Sequence, residues 1–211
     1  MIRFFKTYKI IQFLFPKYTW ELPNAEKKIF LTFDDGPIPE ITEWVLDILK
    51  QENIKATFFC IGDNIQKHPA IFKRIIAENH SLGNHTFNHL NGWKTSPKDY
   101  IENVQLCEDE ILKHSNLKSK FFRPPFGKIR RNQASAIQKL GYKLIMLNVL
   151  SYDFDKDLSQ EECLLKVVKN TSNGSIIVFH DSIKANNNLR FVLPRAIQLL
   201  KKKGFIFDKI N

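Results

Sequence analysis

The chain has 211 residues, 43% of them hydrophobic and 26% charged, and its 32 Lys and Arg against 22 Asp and Glu give a formal charge of +10. That length supports one domain with a real core, and the composition excludes disordered, collagenous and membrane-embedded classes. The charge permits attraction to nucleic acid, acidic glycans or phospholipid surfaces without choosing among them, and reads first as a solvated basic surface.

The opening stretch, MIRFFKTYKIIQFLFPKYTW, makes a poor signal peptide. Lys6 and Lys9 interrupt its apolar run, and no small-residue cleavage site follows. No apolar segment reaches transmembrane length. The expected placement is cytoplasmic or at a membrane surface. Phe4, Tyr8, Ile11 and Phe15 recur at helical spacing, with Arg3, Lys6 and Lys9 elsewhere on the wheel. Residues 1–24 are therefore read as a basic amphipathic segment packed on the domain formed by 25–211, with peripheral membrane contact as the second placement.

Strand-like and helix-like segments then alternate. Residues 28–33 read as a strand and 39–52 as a helix. A strand over 55–62 precedes a helix over 64–79, with Pro69 marking a kink or a late start. A short strand over 81–84 leads to a loop, and Ser96 with Asp99 forms a capping box for a helix to His114. Residues 120–123 are strand-like, and a helix over 131–140 ends at Gly141. Residues 142–149 read as a buried strand. Ser159 and Glu162 open a helix to Thr171. A buried strand over 175–181, a helix over 189–203 and a strand over 205–207 complete the chain. Apolar strands separated by amphipathic helices indicate a parallel sheet covered on its faces, as a barrel or a doubly wound sheet. Cys60, Cys107 and Cys163 are far apart and form no CxxC pair, so buried free thiols are expected.

The chemically suggestive residues fall at the C-terminal ends of strands, where α/β barrels place their sites. Asp34 and Asp35 end the first strand, in TFDDGP. Adjacent strand residues face opposite ways, so both carboxylates reach one centre only if Gly36-Pro37 breaks the strand. One can then bind a metal while the other takes a proton; the alternative is an ordinary helix N-cap region. His85 and His89 lie four apart, which on a helical turn sets two imidazoles on one face. With Asp35 they form a two-His, one-Asp set that leaves coordination positions open, as a catalytic zinc site requires. Arg123, in FFRPPFG, can hold Asp34 ionised, and the Phe126 backbone N–H can face a developing oxyanion. Asp153 beside His180 favours the protonated imidazole, the form a departing amine needs from a general acid.

These motifs, in this order, resemble the NodB-like polysaccharide deacetylases, a family of metal-dependent carbohydrate esterases, over residues 25 to 207. TFDDGP, HTFNH and RPPFG match that family's first three motifs. The fourth, D-S-x-D-W, appears as Leu150-Ser151-Tyr152-Asp153-Phe154, which keeps the second Asp and loses the first Asp and the Trp. The fifth, L-x-H, appears as Val178-Phe179-His180.

The resemblance implies a distorted (β/α) barrel with a parallel strand core surrounded by helices. It also implies a divalent metal, most often zinc, and hydrolysis of N-acetyl groups on hexosamines of an acetylated glycan. Peptidoglycan and chitin-like polymers are the candidate substrates. The ligand types admit cobalt or nickel as well. Carried over by position, Asp35, His85 and His89 bind the metal, and Asp34 is the base. His180 is the acid, Arg123 holds Asp34, Asp153 partners His180, and Phe126 and Phe154 face oxyanion or substrate. No nucleic acid partner is expected. Two rivals stand beside this reading. A non-haem iron oxygenase would use the same three ligands but leave Asp34, Arg123 and His180 without work. A catalytically silent glycan- or nucleic-acid-binding module would have no need of them either.

Overall fold

A computed structural model describes residues 6, 7 and 9–211 of the chain. In chain order the elements are α1 (Lys9–Leu14), β1 (Lys28–Asp34), α2 (Ile41–Gln51), β2 (Thr57–Cys60), α3 (Gly62–Lys67), α4 (Pro69–Ala77), β3 (Ser81–Asn84) and α5 (Pro97–Ser115). There follow β4 (Phe121–Phe122), a 3-10 turn (Pro125–Gly127), α6 (Arg131–Lys139), β5 (Lys143–Leu144), β6 (Val149–Leu150), α7 (Gln160–Asn170), β7 (Ile176–His180), α8 (Asn186–Lys202) and β8 (Ile206–Asp208). Pro69 does not kink a helix: it starts one, at the position where its missing N–H costs nothing. Ser96 and Ser159 both cap as their sequence context predicts, accepting from the N–H of Asp99 and of Glu162.

The strands pair in parallel in the order β5-β4-β3-β2-β1-β7-β6, with β8 beside the lower half of β1. The ends of that order, β5 and β6, lie in one short run of chain. The sheet therefore curls back on itself, and the architecture is the distorted parallel barrel with helices around it. Residues 142–149, expected as one continuous strand, are instead two short ones. The run bonds to β4 through Ile145 N–H and to β7 through Asn148 N–H, so it changes neighbour half-way.

A change of neighbour leaves carbonyls without strand partners, and buried carbonyls must find donors. Five consecutive ones are satisfied from elsewhere. The Thr19 N–H donates to Leu144 O, Arg123 Nε to Ile145 O, and Arg123 Nη2 to Met146 O. Thr7 donates through Oγ1 to Leu147 O and through its N–H to Asn148 O. The barrel seam is thus closed by one buried arginine and by the N-terminal segment. That segment is held at both ends of α1, yet no residue of α1 is buried. Phe4 and Tyr8 of the expected amphipathic stripe, and Arg3 from the rest of the wheel, lie outside the described residues.

Two-residue periodicity sorts the strand side chains. Ile29, Leu31 and Phe33 of β1, Phe58 of β2 and Ile177 and Phe179 of β7 pack with the helices in the main core. Phe30, Phe59, Phe121, Ile145 and Ile176 form a separate apolar cluster with Ile210. The alternate face of β1 therefore climbs from Phe30 through Thr32 to Asp34, from oil to charge. Cys60, Cys107 and Cys163 are buried free thiols. No helix among the described residues is long and apolar enough to cross a membrane.

Gly83 on β3 tests the packing. A Cβ there would stand 2.2 Å from Cδ1 of the Phe59 ring, so a side chain needs the barrel interior to shift. Gly83→Ala should cost about 1–3 kcal/mol of stability, read as a lower denaturation midpoint in urea with an unchanged slope.

Candidate active site

The C-terminal ends of β1, β3, β4, β6 and β7 gather every residue singled out in the sequence. Asp34 ends β1 and is paired across the ladder with His180, which ends β7. Asp34 is buried, and its Oδ1 accepts from Arg123 Nη1 at 2.7 Å. Arg123 is itself 2% exposed. Its Nη1 also donates to Thr32 Oγ1, and its guanidinium carbon lies 4.0 Å from the centroid of the Phe59 ring. With the two seam carbonyls, these contacts engage all three guanidinium nitrogens, which a lysine cannot reproduce.

Asp35 follows with φ 85°, in the left-handed region that non-glycine residues rarely adopt. That turn sends its carboxylate to the same centre as Asp34 instead of the opposite face. Gly36 comes next and has no room for a side chain: a Cβ would lie 1.9 Å from Asp181 Oδ2. Helix α2 begins only at Ile41, so the aspartate pair does not cap it.

His85 and His89 do face one centre, with ring centroids 5.1 Å apart. The expected helical turn is absent. The residues after β3 form a bent loop in which Thr86 (φ 65°) and His89 (φ 55°) are left-handed. Buried hydrogen bonds hold that loop: Asn84 Oδ1 accepts from the Thr86 N–H, and Thr86 Oγ1 from the Leu90 N–H. Four-residue spacing thus carried the right pairing by the wrong geometry.

The residues fit a metal ion. Asp35 Oδ1 is buried and accepts no hydrogen bond. His89 Nε2 lies 3.2 Å from it and His85 Nε2 3.8 Å, with the three ligand atoms all within 4.8 Å of one another. His85 Nδ1 is 2.7 Å from the Arg123 carbonyl, which can only accept, so Nδ1 carries the proton and Nε2 offers its lone pair. Burial pushes the His85 pKa down to about 4, which keeps the imidazole neutral as a ligand must be. Burial opposes the charge on Asp35, but His89 beside it and the charge of His180 hold its carboxyl well below the usual range. An orphaned buried acceptor facing two ring nitrogens is costly alone and is the arrangement a divalent cation rewards.

Across the ladder, His180 Nδ1 is 2.8 Å from Asp153 Oδ1, and the His180 backbone N–H donates to Asp153 Oδ2 at 2.8 Å. Burial alone would lower the His180 pKa, but Asp153, with smaller contributions from Asp35 and Asp34, raises it to about 9. The Phe154 ring stands edge-on to the His180 ring at 4.9 Å between centroids. Phe126 is left-handed (φ 61°) and exposed, with its ring 4.5 Å from that of His89.

Sequence reasoning left Asp181 without a role. It is fully buried, its Oδ1 accepts from the Gly36 N–H, and its Oδ2 accepts from Thr42 Oγ1. Burial pushes its carboxyl up to about 8. The signal was the His-Asp dipeptide at a strand end, whose second residue must face away from the first.

The comparisons agree with the geometry. A family model described as polysaccharide deacetylase matches residues 21–145. The chain belongs to the polysaccharide deacetylase family. A peptidoglycan-N-acetylglucosamine deacetylase of Bacillus cereus is 35% identical over 194 residues, spanning 92% of this chain and 91% of the relative. A crystal structure of a peptidoglycan N-acetylglucosamine deacetylase in complex with 4-naphthalen-1-yl-N-oxidanyl-benzamide superposes with a TM-score of 0.89 at 33% identity, covering 96% of this chain and 95% of that one. A Bacillus anthracis protein described as a pseudoenzyme of the CE4 family superposes with a TM-score of 0.81 at 25% identity, covering 90% of this chain and 66% of that one. This chain is a polysaccharide deacetylase, a metal-dependent hydrolase with an Asp-His-His group able to hold the ion.

The Arg123–Asp34 pair makes the site's main energetic demand. Arg123→Met leaves Asp34 buried without its counter-charge and frees two seam carbonyls. It should cost about 3–5 kcal/mol in urea denaturation, more than Asp34→Asn, which keeps a polar acceptor at the site.

Proposed function

We propose that this chain removes the acetyl group from N-acetylglucosamine residues of peptidoglycan, with Asp34 as base and His180 as acid. The observation that carries the reading is the orphaned Asp35 Oδ1 facing His85 and His89, with a second carboxylate beside it and a protonated imidazole across the ladder. The identity to the Bacillus cereus deacetylase supports the choice of polymer. Asp35, His85 and His89 would hold the cation, for which zinc suits two imidazoles and one carboxylate and leaves positions open. Such an ion lowers the pKa of a water molecule and polarises the acetyl carbonyl.

The chain's own residues do the rest. Arg123 occupies Asp34 Oδ1 and leaves Oδ2 on the side of His85, 3.9 Å from its Nε2. Asp34 takes a proton from the water as its oxygen attacks the acetyl carbon. The Phe126 N–H donates to the oxygen that gains charge. His180, with Nδ1 tied to Asp153, gives its Nε2 proton to the amide nitrogen as the C–N bond breaks. Acetate and a free amine on the sugar are the products. The protonated acid is needed because an amide anion cannot leave. Phe154 stands beside His180 where the family's tryptophan would be, and is the wall that the acyl group or sugar meets.

The direct test is acetate release from a panel of peptidoglycan, chitin oligomers and acetylated xylan. Release from peptidoglycan, abolished by chelator and restored by zinc, is expected. Release from xylan alone would overturn the polymer assignment. Asp34→Asn should lower turnover by about 10²–10⁴-fold while the protein still binds zinc; near-normal turnover would remove Asp34 from the base role.

A second test uses pH. A raised His180 pKa keeps the acid protonated through neutrality, and activity falls as pH rises through about 9. Asp153→Asn removes the largest raising influence and leaves the burial that lowers it. The alkaline limb of the kcat profile should therefore move to lower pH, while an unmoved limb would assign that limb to another group.

A further inference from the structure

We infer that the N-terminal segment is a docking element for an anionic lipid surface. Helix α1 is the one helix among the described residues with no buried residue. Its large apolar side chains point outward: Ile10 is 68% exposed, Phe13 81% and Leu14 61%. Three such side chains on six residues of helix are not the scattered single apolar residues of an ordinary surface.

The segment is not a loose tail. Thr7 and Thr19 are bonded to the barrel seam on either side of α1, and Trp20 Nε1 donates to Phe15 O. The barrel therefore holds the apolar face outward, and little order has to be created when a partner covers it. Tethering of this kind excludes one simple alternative, that the helix waits to fold into this chain's own core.

Charge selects the partner. The first twenty residues carry Arg3, Lys6, Lys9 and Lys17 and no acidic residue. Lys6, Lys9 and Lys17 are exposed and flank or begin the helix. Apolar side chains bracketed by unopposed cations match a bilayer surface with anionic headgroups, where the rings enter the acyl boundary and the lysines stay among phosphates. A second copy of this chain fits less well, because it would bring the same cations against each other. Residues 25–211, as the catalytic domain, would then sit at a fixed attitude to the surface.

The test is co-sedimentation of the full chain with vesicles. One set is equimolar phosphatidylglycerol and phosphatidylcholine, the other phosphatidylcholine alone, each in about 50 mM and about 500 mM salt. The parent should bind the anionic vesicles at low salt and at least about tenfold more weakly in the other three conditions. Ile10→Ser/Phe13→Ser/Leu14→Ser and Lys6→Glu/Lys9→Glu/Lys17→Glu should each weaken binding at least about tenfold. Both should release acetate from a soluble acetylated oligosaccharide at the parent rate. No parent binding, or a serine variant that binds as the parent does, overturns the inference. So does a dimer in sedimentation velocity that the serine variant dissolves, since the face would then belong to a second copy.

Discussion

The buried contact between Arg123 and Asp34 is the constraint on which the rest of the site depends. One residue does three things there. Its guanidinium neutralises Asp34, its remaining N–H groups complete the barrel seam at Ile145 and Met146, and its own carbonyl accepts from His85 Nδ1. The last contact fixes which His85 nitrogen is left for a cation. The Asp34 carboxylate, the His85 tautomer and the closure of the fold are therefore coupled through residue 123. This coupling gives a physical reason for the rigid Pro124-Pro125 that follows it.

A buried ion pair is weak evidence for stability, since taking two charges out of water offsets most of their attraction. The pair here is better understood as positioning. The guanidinium is packed against the Phe59 ring and donates to Thr32 Oγ1, which fixes where it meets Asp34. The pseudoenzyme with the same architecture shows that the barrel alone does not make a catalyst. In this chain the strand ends bring Asp34, Asp35, His85, Arg123, Asp153 and His180 together.

Much of this was legible in the sequence, because periodicity and strand-end chemistry survive without coordinates. The strand-ending Asp34-Asp35 called for a break at Gly36-Pro37, and two capping boxes fixed the starts of α5 and α7. The misses have a common cause. The run 142–149 is uniformly apolar, so nothing local says that its hydrogen-bond partner changes from β4 to β7 half-way. The His85-His89 spacing suits a helix, and only the Asn84 and Thr86 side-chain bonds impose the bent loop. The exposure of α1 depends on what the barrel offers it. Thr7 and Thr19 take the seam carbonyls, and Ile10, Phe13 and Leu14 between them stay exposed.

Three aspartates show how far environment outweighs residue type. Asp34 is neutralised by a guanidinium that burial has locked in place. Asp35, one residue on, carries its charge against burial because His89 and the charged His180 lie near it, and one of its oxygens has no donor. Asp181, across the ladder, has only a backbone N–H and a hydroxyl, and burial drives it toward the neutral acid at about 8. Three ionised carboxylates without partners at one end of the barrel would repel one another. The chain avoids this by giving one a counter-ion, leaving one for a cation and keeping one largely protonated. Asp181 Oδ1 holds the Gly36 N–H in the turn that follows Asp35.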